Sequence, residues 1–310
     1  MGALLLLLAF AGAGPSAASG TATSVSAADG KLVFMRYANT GKGESYSLFV
    51  VASDGSGLRK VTNAYGLHPA WSPDGRKIAY EGRFSDFGPG IAIVNANGSE
   101  KRRVGAPTHE HPAYDLEPRW SPDGKRIVFV TREAASRLAI VSAHGGRWSQ
   151  VPVPSRVYAD EPDWSPDGER IAFVGDGGES IYVVNVDGSR LRTITRPRVS
   201  GNARRVRWSP DGKMLLFTVE GVKVGTSFED RIYSVAPSGG SLKLVLSRAV
   251  ITSASWSPDG QRIAYTGGHG CCPIHIFDLA RRQDRLLNLR PCARPGSCQD
   301  LDWQHRSPSP

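Results

Sequence analysis

Ionisable side chains recur three residues before the repeated tryptophans of this chain. The residues at that position are His68, Glu117, Glu161, Arg205 and Asp300, with Ser253 as the neutral member. Carboxylates beside an imidazole and a guanidinium can bind a cation, a sugar or the end of a peptide. The spacing therefore predicts a polar binding site, provided that the fold brings these positions together.

A second candidate is the His-Glu-His sequence at residues 109–111. The imidazoles of His109 and His111, together with His68 from an earlier segment, offer three nitrogens for zinc or manganese. Their spacing matches no closed metal-binding motif, and histidines in loops are usually solvated. A divalent metal at these residues is therefore the alternative hypothesis, and no other cofactor is predicted.

The sequence lacks the motifs of common catalytic machineries. It has no G-x-S-x-G nucleophile elbow and no glycine-rich phosphate loop between a strand and a helix. Five aspartates recur in the sequence WSPDG, where the flanking proline and glycine assign them to turns rather than to acid catalysis. They are Asp74, Asp123, Asp167, Asp211 and Asp259. A non-catalytic protein is favoured, and an active site assembled from several segments is the alternative.

The four cysteines all fall in the last repeat of the chain. They are Cys271, Cys272, Cys292 and Cys298. An even number of cysteines in an exported protein predicts disulfides, here two of them with three possible connectivities. Because a bridge between adjacent cysteines strains the backbone, we favour pairing of Cys271 and Cys272 across to Cys292 or Cys298. A thiolate metal site is the alternative.

The tryptophans that order these residues mark an internal repeat. They are Trp71, Trp120, Trp164, Trp208, Trp256 and Trp303, spaced 44 to 49 residues apart, and the first five begin the sequence WSPDG. Each unit holds short β-branched and aromatic runs such as KIAY and RIAFV between turn residues. A period in the forties with four strands per unit is typical of a propeller blade. The sequence predicts an all-β, six-bladed β-propeller with four-stranded blades.

The sixth copy of the motif is incomplete, because the chain ends shortly after Trp303. The stretch DGKLVF at residues 29–34 matches the DGRKIAY that follows a WSP sequence in the first complete copy. An open ring would leave an exposed sheet edge. We therefore expect the N-terminal strands to close the last blade, in a propeller that spans residues 29–304.

Strand alternation then locates the candidate site. Residues three and one before each tryptophan point away from its face, so on the innermost strand they line the central channel. The long and variable loops emerge at the same end, where binding usually occurs. The residues one before the tryptophan include Arg119, Asp163, Arg207 and Asp302. Their alternating charges can neutralise one another, which makes the outer set at the channel mouth the better candidate.

The WSPDG repeats at this period resemble the TolB-type six-bladed propellers, also seen as propeller domains of prolyl-oligopeptidase-like enzymes. The resemblance covers residues 29–304 and implies the architecture while saying little about function. We expect a stand-alone propeller, without the N-terminal domain of the TolB protein and without a hydrolase domain.

The two ends of the chain differ from the repeats in composition. An apolar run followed by small residues predicts a signal peptide over residues 1–20, with a short linker at 21–28 and a disordered tail at 305–310. Export to the periplasm, the cell envelope or the exterior follows, and no other stretch is expected to cross a membrane. The net charge of +9 is spread along the chain without an aromatic stacking platform, which argues against nucleic acid.

These observations favour a monomeric, non-catalytic propeller that binds a protein, a peptide or a cell-surface glycan on its loop-rich face or channel mouth. The alternative is an enzyme of the polysaccharide lyase or hydrolase kind, which some TolB-like propellers resemble. Arg205 would then neutralise a substrate carboxylate, and a metal would sit at the histidines of the mouth. A regulatory propeller separated from its hydrolase is a third hypothesis.

Overall fold

The strands of this chain form a closed ring of sheets. The computed structural model describes residues 29–39, 43–62, 65–84, 88–105, 114–132, 135–195, 201–267, 273–287, 289 and 298–304. In these ranges twenty-four strands form six antiparallel sheets of four strands each, with one short 3-10 turn at Asp176–Gly178. The predicted six-bladed, all-β propeller is confirmed.

The strands follow the sequence repeats. The closing sixth blade has β1 (Lys31–Asn39), β2 (Glu44–Ala52) and β3 (Arg59–Lys60). Blade 1 has β4 (Gly66–Trp71), β5 (Lys77–Phe84), β6 (Gly88–Asn95) and β7 (Arg102–Arg103). Blade 2 has β8 (Tyr114–Trp120), β9 (Arg126–Arg132), β10 (Ser136–Ser142) and β11 (Ser149–Gln150). Blade 3 has β12 (Ala159–Trp164), β13 (Arg170–Gly175), β14 (Ser180–Asn185) and β15 (Arg192–Thr195).

The remaining strands complete the ring. Blade 4 has β16 (Asn202–Trp208), β17 (Leu215–Val224), β18 (Ser227–Val235) and β19 (Lys243–Arg248). Blade 5 has β20 (Ser253–Trp256), β21 (Arg262–Thr266), β22 (Ile274–Asp278) and β23 (Gln283–Leu287). The innermost strand of blade 6 is β24 (Cys298–Trp303), which pairs with β1.

The last blade is assembled from both ends of the chain, as the sequence predicts. Strand β24 runs antiparallel to β1, with Trp303 opposite Leu32. The indole N–H of Trp303 donates to the carbonyl of Asp29 at 3.0 Å, and the N–H of Gln304 donates to the carbonyl of Lys31 at 2.8 Å. The equivalent bond in blade 1 runs from Ser72 to a lysine five residues later. The divided sixth copy therefore rebuilds the same turn as the intact copies.

The WSPDG sequence forms a turn in which its polar groups hydrogen bond to one another. In blade 3 the hydroxyl of Ser165 donates to Asp167 and accepts the N–H of Arg170 at 2.9 Å. The same Asp167 carboxylate accepts the N–H of Glu169 at 3.0 Å, and Gly168 takes the left-handed conformation at φ +72°. These bonds hold the aspartate side chain within the turn. The predicted structural role of the repeated aspartates is confirmed.

The same motif also joins neighbouring blades. The glycine of each turn lies against the proline of the preceding blade, so that a Cβ at that glycine would be 3.5 to 3.8 Å from a ring carbon of the proline. The pairs are Pro73–Gly124, Pro122–Gly168, Pro166–Gly212, Pro210–Gly260 and Pro258–Gly30. At the closure Gln304 takes the place of the proline and lies against Gly75. The turns therefore form a continuous ring on one face of the propeller, which we call the turn face.

The repeated tryptophans fill the interfaces between blades. Trp208 is buried among Phe217 of its own blade and Val174 and Ile181 of blade 3. The guanidinium of Arg170 covers its ring at 4.8 Å from the centroid. Such contacts between large buried side chains provide most of the packing energy of each interface. The tryptophans are therefore core residues, as predicted. In the ranges described, no helix is long and apolar enough to span a bilayer.

Candidate functional site

The five predicted site residues share an unusual backbone conformation at the channel mouth. His68, Glu117, Glu161, Arg205 and Asp300 all lie in the left-handed region, with φ between +48° and +57°. Each lies at a shift in register on the innermost strand of its blade, which is the signature of a β-bulge. The bulge re-aims one side chain per blade, and the same local geometry is therefore repeated at five of the six blades.

Blade 5 departs from this pattern. Its inner strand β20 pairs with β21 without a shift, and Ser253 takes no left-handed conformation. The small side chain leaves space beside it, and Arg205 of blade 4 reaches past blade 5 to hydrogen bond Asp300 of blade 6. Because Ser253 is small and uncharged, Arg205 and Asp300 can pair although their blades are not adjacent.

Carboxylates at the mouth connect one blade to the next. The Glu117 carboxylate accepts the backbone N–H of Glu161 at 2.5 Å, and the Glu161 carboxylate accepts the N–H of Arg205. The Asp300 carboxylate accepts the N–H of His68 at 3.2 Å. The structure therefore brings all five predicted residues into one connected series of contacts at the channel mouth.

His68 is held between two acidic side chains. Its Nδ1 lies 3.0 Å from Oε2 of Glu81, and its Nε2 lies 3.8 Å from Oδ2 of Asp300. Burial by itself would lower the pKa of His68, but the carboxylates of Asp300, Glu81 and Glu117 outweigh burial and raise this pKa to about 9. Near neutral pH the ring is therefore an imidazolium, which has no lone pair to offer a metal.

Glu81 is a site residue that sequence reasoning missed. It follows the apolar run KIAY on β5 and is only 4% exposed, in a position where a strand core would carry an apolar residue. Besides His68, its carboxylate accepts the hydroxyl of Tyr65 at 3.3 Å. A buried acid at the end of an apolar strand was the available signal, because such a group is almost always paired.

The mouth is electrostatically uneven. Burial raises the pKa of Glu117 to about 7, and the neighbouring Glu161 adds to this while His68 opposes it. Burial also acts on Asp300, but there the charges of His68 and Arg205 prevail and the pKa of Asp300 is lowered. Asp300 is therefore a firmly ionised member of a charge network. Glu117 and Glu161, by contrast, form no ion pair with a cation in the ranges described.

The charged residues one position before each tryptophan lie deeper in the channel and hydrogen bond mainly to the backbone. Among the ion pairs of the described chain, none joins two of these residues. The Asp163 carboxylate accepts the N–H of Trp208 at 2.8 Å, and Asp302 accepts that of Trp71 at 2.9 Å. Arg119 donates to a backbone carbonyl at 3.0 Å. These groups are satisfied mainly by the main chain instead of by one another, which supports the choice of the outer set as the site.

The metal hypothesis rests on residues of which only one is described. His109 and His111 lie outside the described residues, and His68 is occupied by its two carboxylates. Within the described ranges no group of three or more His, Cys, Asp or Glu side chains is arranged to hold a metal ion. A metal at these three histidines stays a prediction, with His68 poorly suited to it.

The disulfide prediction also falls largely outside the described chain. Cys271, Cys272 and Cys292 are not among the described residues. Cys298 begins β24, is 4% exposed and lies opposite Arg36 of β1, at the seam where the ring closes. Which cysteines pair with one another stays a prediction.

Comparison with known proteins identifies the family. The model of the TolB beta propeller domain matches residues 22–220 and, in a second match, residues 116–290. The chain belongs to the TolB beta-propeller family. This TolB-family propeller matches no functionally curated protein.

Solved structures share its architecture. TolB from Acinetobacter baumannii aligns with a TM-score of 0.72 at 20% identity, over 89% of this chain and 67% of that chain. The nidogen/laminin complex aligns with a TM-score of 0.67 at 12% identity, over 89% and 100%. An oligogalacturonate lyase in complex with manganese aligns with a TM-score of 0.58 at 17% identity, over 84% and 74%. At these identities the likeness shows the fold alone.

Proposed function

We propose that this TolB-family propeller is a non-catalytic, monomeric binding protein that captures a segment of a partner protein at its channel mouth. The observation that carries the proposal is the convergence of five left-handed ionisable residues there. This conformation costs an L-residue about 1 kcal/mol or more relative to a relaxed backbone. Strained positions of this kind cluster at binding and active sites, where the direction of the side chain matters more than stability.

The charge of His68 and the bonding of Ser253 support binding over catalysis. His68 is charged near neutral pH and cannot act as a general base there. The hydroxyl of Ser253 is engaged by Thr266 at 2.6 Å and by the N–H of Leu301 at 3.0 Å, so it has no activating base. Glu117, whose pKa is raised to about 7, is the group that a catalytic hypothesis would use, and its carboxylate already accepts the N–H of Glu161.

A photo-crosslinking experiment tests this proposal. A photoreactive amino acid replaces Tyr158, which is 53% exposed at the mouth end of blade 3, and in a matched chain it replaces Asp187 in a turn on the opposite face. In producing cells we expect a discrete protein adduct from position 158 and none from position 187. Equal labelling from both positions, or labelling from 187 alone, would contradict binding at the mouth.

Export is part of the same proposal. We infer that residues 1–20 are removed as a signal peptide and that residues 21–28 and 305–310 flank the propeller without contributing blades. The apolar leader followed by small residues supports this inference. Mass spectrometry of the protein recovered outside the cytoplasm tests it, because an intact N-terminus would count against the leader. Light scattering on the same sample tests the monomeric state.

Two disulfides would staple the closing blade in an exported chain. Cys298 is buried at the seam between β24 and β1 and is not a free thiol. Cross-links that close a long loop restrict the unfolded chain and stabilise the fold. Peptide mapping without reductant should recover Cys298 linked to Cys271 or Cys272, and four free thiols would overturn the assignment.

A polysaccharide-degrading enzyme is the second candidate, and its support is the shared fold with the manganese-bound lyase. In that hypothesis Arg205 neutralises a substrate carboxylate, yet its guanidinium is already paired with Asp300. Assays of oligogalacturonate cleavage with and without added manganese decide between the candidates. Metal-dependent turnover at ordinary enzymatic rates would replace the binding proposal.

A further inference from the structure

The tyrosines of this chain are sorted by location. Four of the nine are at most 7% exposed and belong to the blade cores, namely Tyr80, Tyr182, Tyr233 and Tyr265. The other five lie where the strands meet the mouth face, on the ends of β1 and β2 or at the start of an inner strand. These are Tyr37, Tyr46, Tyr65, Tyr114 and Tyr158, which we call the tyrosine arc. Tyr37 and Tyr46 also pack against the core between blades 6 and 1 and donate their hydroxyls to Glu44, so Tyr114 and Tyr158 are the exposed members of the arc.

The arc follows four consecutive blades. Tyr65, Tyr114 and Tyr158 occupy the same position, six residues before the repeated tryptophan of blades 1, 2 and 3. Tyr37 and Tyr46 extend the series onto blade 6, with ring centroids 5.3 Å apart, and the ring of Tyr46 lies 5.4 Å from that of Tyr65. Tyr114 is 48% and Tyr158 53% exposed, so both rings are accessible to a ligand. Tyrosine supplies broad contact area at low entropic cost, and it is enriched where proteins bind partners.

Two carboxylates without an ion-pair partner among the described residues accompany the exposed part of the arc. Glu117 and Glu161 follow Tyr114 and Tyr158 by three residues, and within the described chain no cation lies within ion-pair distance of either carboxylate. Their described bonds come from backbone N–H groups, and each leaves one carboxylate oxygen available. A cationic ligand group would relieve this imbalance.

Blade 4 on the same face differs. Three of its cations are paired with acids, namely Arg204 with Glu220, Arg205 with Asp300 and Arg231 with Glu229, at 3.9 Å or less. On the arc side Arg137 donates to the carbonyls of Ser155 and Val157 next to Tyr158, so the side chains there that can accept a cationic ligand group are the carboxylates of Glu117 and Glu161. The chain as a whole is positive at +9, but salt screens charges beyond about 8 Å, so a ligand at the mouth responds to its immediate neighbours.

We propose that the tyrosine arc, with Glu117 and Glu161, is the docking surface for an extended basic segment of a partner protein. A lysine or arginine side chain of that segment lies against the two carboxylates, and the rings of Tyr114 and Tyr158 contact its cationic head and aliphatic stem. Aromatic rings and carboxylates together are the common protein receptor for ammonium and guanidinium groups. This inference rests on the proposed function and names the chemistry of its ligand.

Binding of labelled peptides to the full chain tests the inference. Three twelve-residue peptides of glycine and serine carry four lysines, four glutamates or neither, and fluorescence anisotropy reports the affinity. The lysine peptide should bind at least tenfold more tightly than the other two. The double variant Tyr114→Ser/Tyr158→Ser and the single variant Glu161→Gln should each weaken its binding about tenfold.

Phe228→Ser provides the matched control. Phe228 is an exposed ring, at 65%, on the long hairpin β17–β18 of blade 4, outside the arc. The variant should bind the lysine peptide as the unaltered chain does. Because all the substituted rings are exposed, circular dichroism and thermal melting should show folded protein throughout, and binding is compared per folded molecule.

Several outcomes would overturn the inference. Preference for the glutamate or neutral peptide, loss of binding in Phe228→Ser equal to that in the arc variants, or binding to a glycan array alone would each do so. A crosslinked partner at position 158 that docks through a segment without basic residues would refute the basic ligand while leaving binding at the mouth intact. Absence of any adduct at the mouth would remove both proposals.

Discussion

The two faces of the propeller use the same strained backbone conformation in opposite ways. On the turn face the left-handed position of each intact motif is a glycine, with φ between +66° and +72°, as in Gly75 and Gly212. At the mouth it is a charged residue in five blades, as in Glu117 and Arg205. Glycine removes the steric cost of this conformation and a charged side chain retains it. The difference indicates that the turn face is optimised for folding and that the mouth keeps its side chains for another purpose.

The hydrogen bonds of the two faces also differ, because those of the turn face are local and those of the mouth join different blades. On the turn face Asp167 is satisfied within five residues of its own turn. At the mouth the carboxylates reach other blades, and Asp300 contacts residues more than ninety positions away in sequence. Local bonds make each turn self-sufficient, whereas the mouth exists only when the ring is closed. The predictions below test this division between a structural face and a recognition face.

The largest expected effect belongs to the blade interfaces beside the turn face. Trp208→Ala removes a buried indole, 3% exposed, from the interface between blades 3 and 4. We expect the free energy of unfolding to fall by about 3–5 kcal/mol, measured by urea denaturation. Affinity for the lysine peptide, measured per folded molecule, should be unchanged. A large loss of affinity in the folded variant would show that the two regions are not separable.

A second prediction concerns pH and the mouth. The pKa of His68 is raised from 6.5 to about 9, so its contribution to stability is fully present below pH 6.5 and is lost as the pH rises through 9. The pKa of Glu117 is raised to about 7, and its contribution is likewise lost on going up from about pH 4.5 through 7. Asp300 has a lowered pKa and loses its contribution only in strong acid. The free energy of unfolding should therefore decline from pH 5 to pH 9, with His68 accounting for on the order of 3 kcal/mol.

Urea titrations at intervals of pH measure this decline. In His68→Gln the part between pH 6.5 and 9 should flatten. In Glu117→Gln the part between 4.5 and 7 should become shallower, and the remaining slope there belongs to Asp163, whose pKa is raised by burial to about 7. An equal slope in all three proteins would place the titrating groups elsewhere than the mouth.

A third prediction exchanges the glycine of one turn. Gly212→Ala places a Cβ on a residue with φ +69°, beside the ring of Pro166 at 3.6 Å. The left-handed strain should lower the free energy of unfolding by about 1 kcal/mol. Peptide affinity should stay the same, because the turn lies on the opposite face. Unaltered stability would remove the assigned role of this glycine.

The smallest effect on stability is expected from the reverse exchange at the mouth. Glu117→Gly relieves the strain at φ +57° but removes the carboxylate that accepts the N–H of Glu161. Both contributions are about 1 kcal/mol and oppose each other, so the free energy of unfolding should change by less than about 0.5 kcal/mol. Affinity for the lysine peptide should nevertheless fall about tenfold. Unchanged affinity would sink the claim that the mouth retains Glu117 for recognition.

Much of the fold follows from patterns that local rules can interpret. The WSPDG spacing predicts six blades, DGKLVF predicts the closure, and strand alternation selects the outer set that includes Glu161 and Arg205 as mouth residues. These predictions succeed because turn chemistry and side-chain alternation act over a few residues. Alternation alone gave no sign of the β-bulges or of the left-handed conformation, because a bulge is defined by the pairing of two strands.

The repeat, the turns and the identity of the residues on the inner strands can thus be inferred from the amino-acid sequence alone. Which of these residues contact one another depends on the closed ring. Closing the ring places Arg205 beside Asp300 across blade 5, puts Glu81 against His68, and leaves Glu117 and Glu161 without an ion-pair partner among the described residues. Separation along the chain explains this division. Contacts between blades join residues that are far apart in the chain, and charge balance at the mouth is a property of the assembled ring that no single repeat contains.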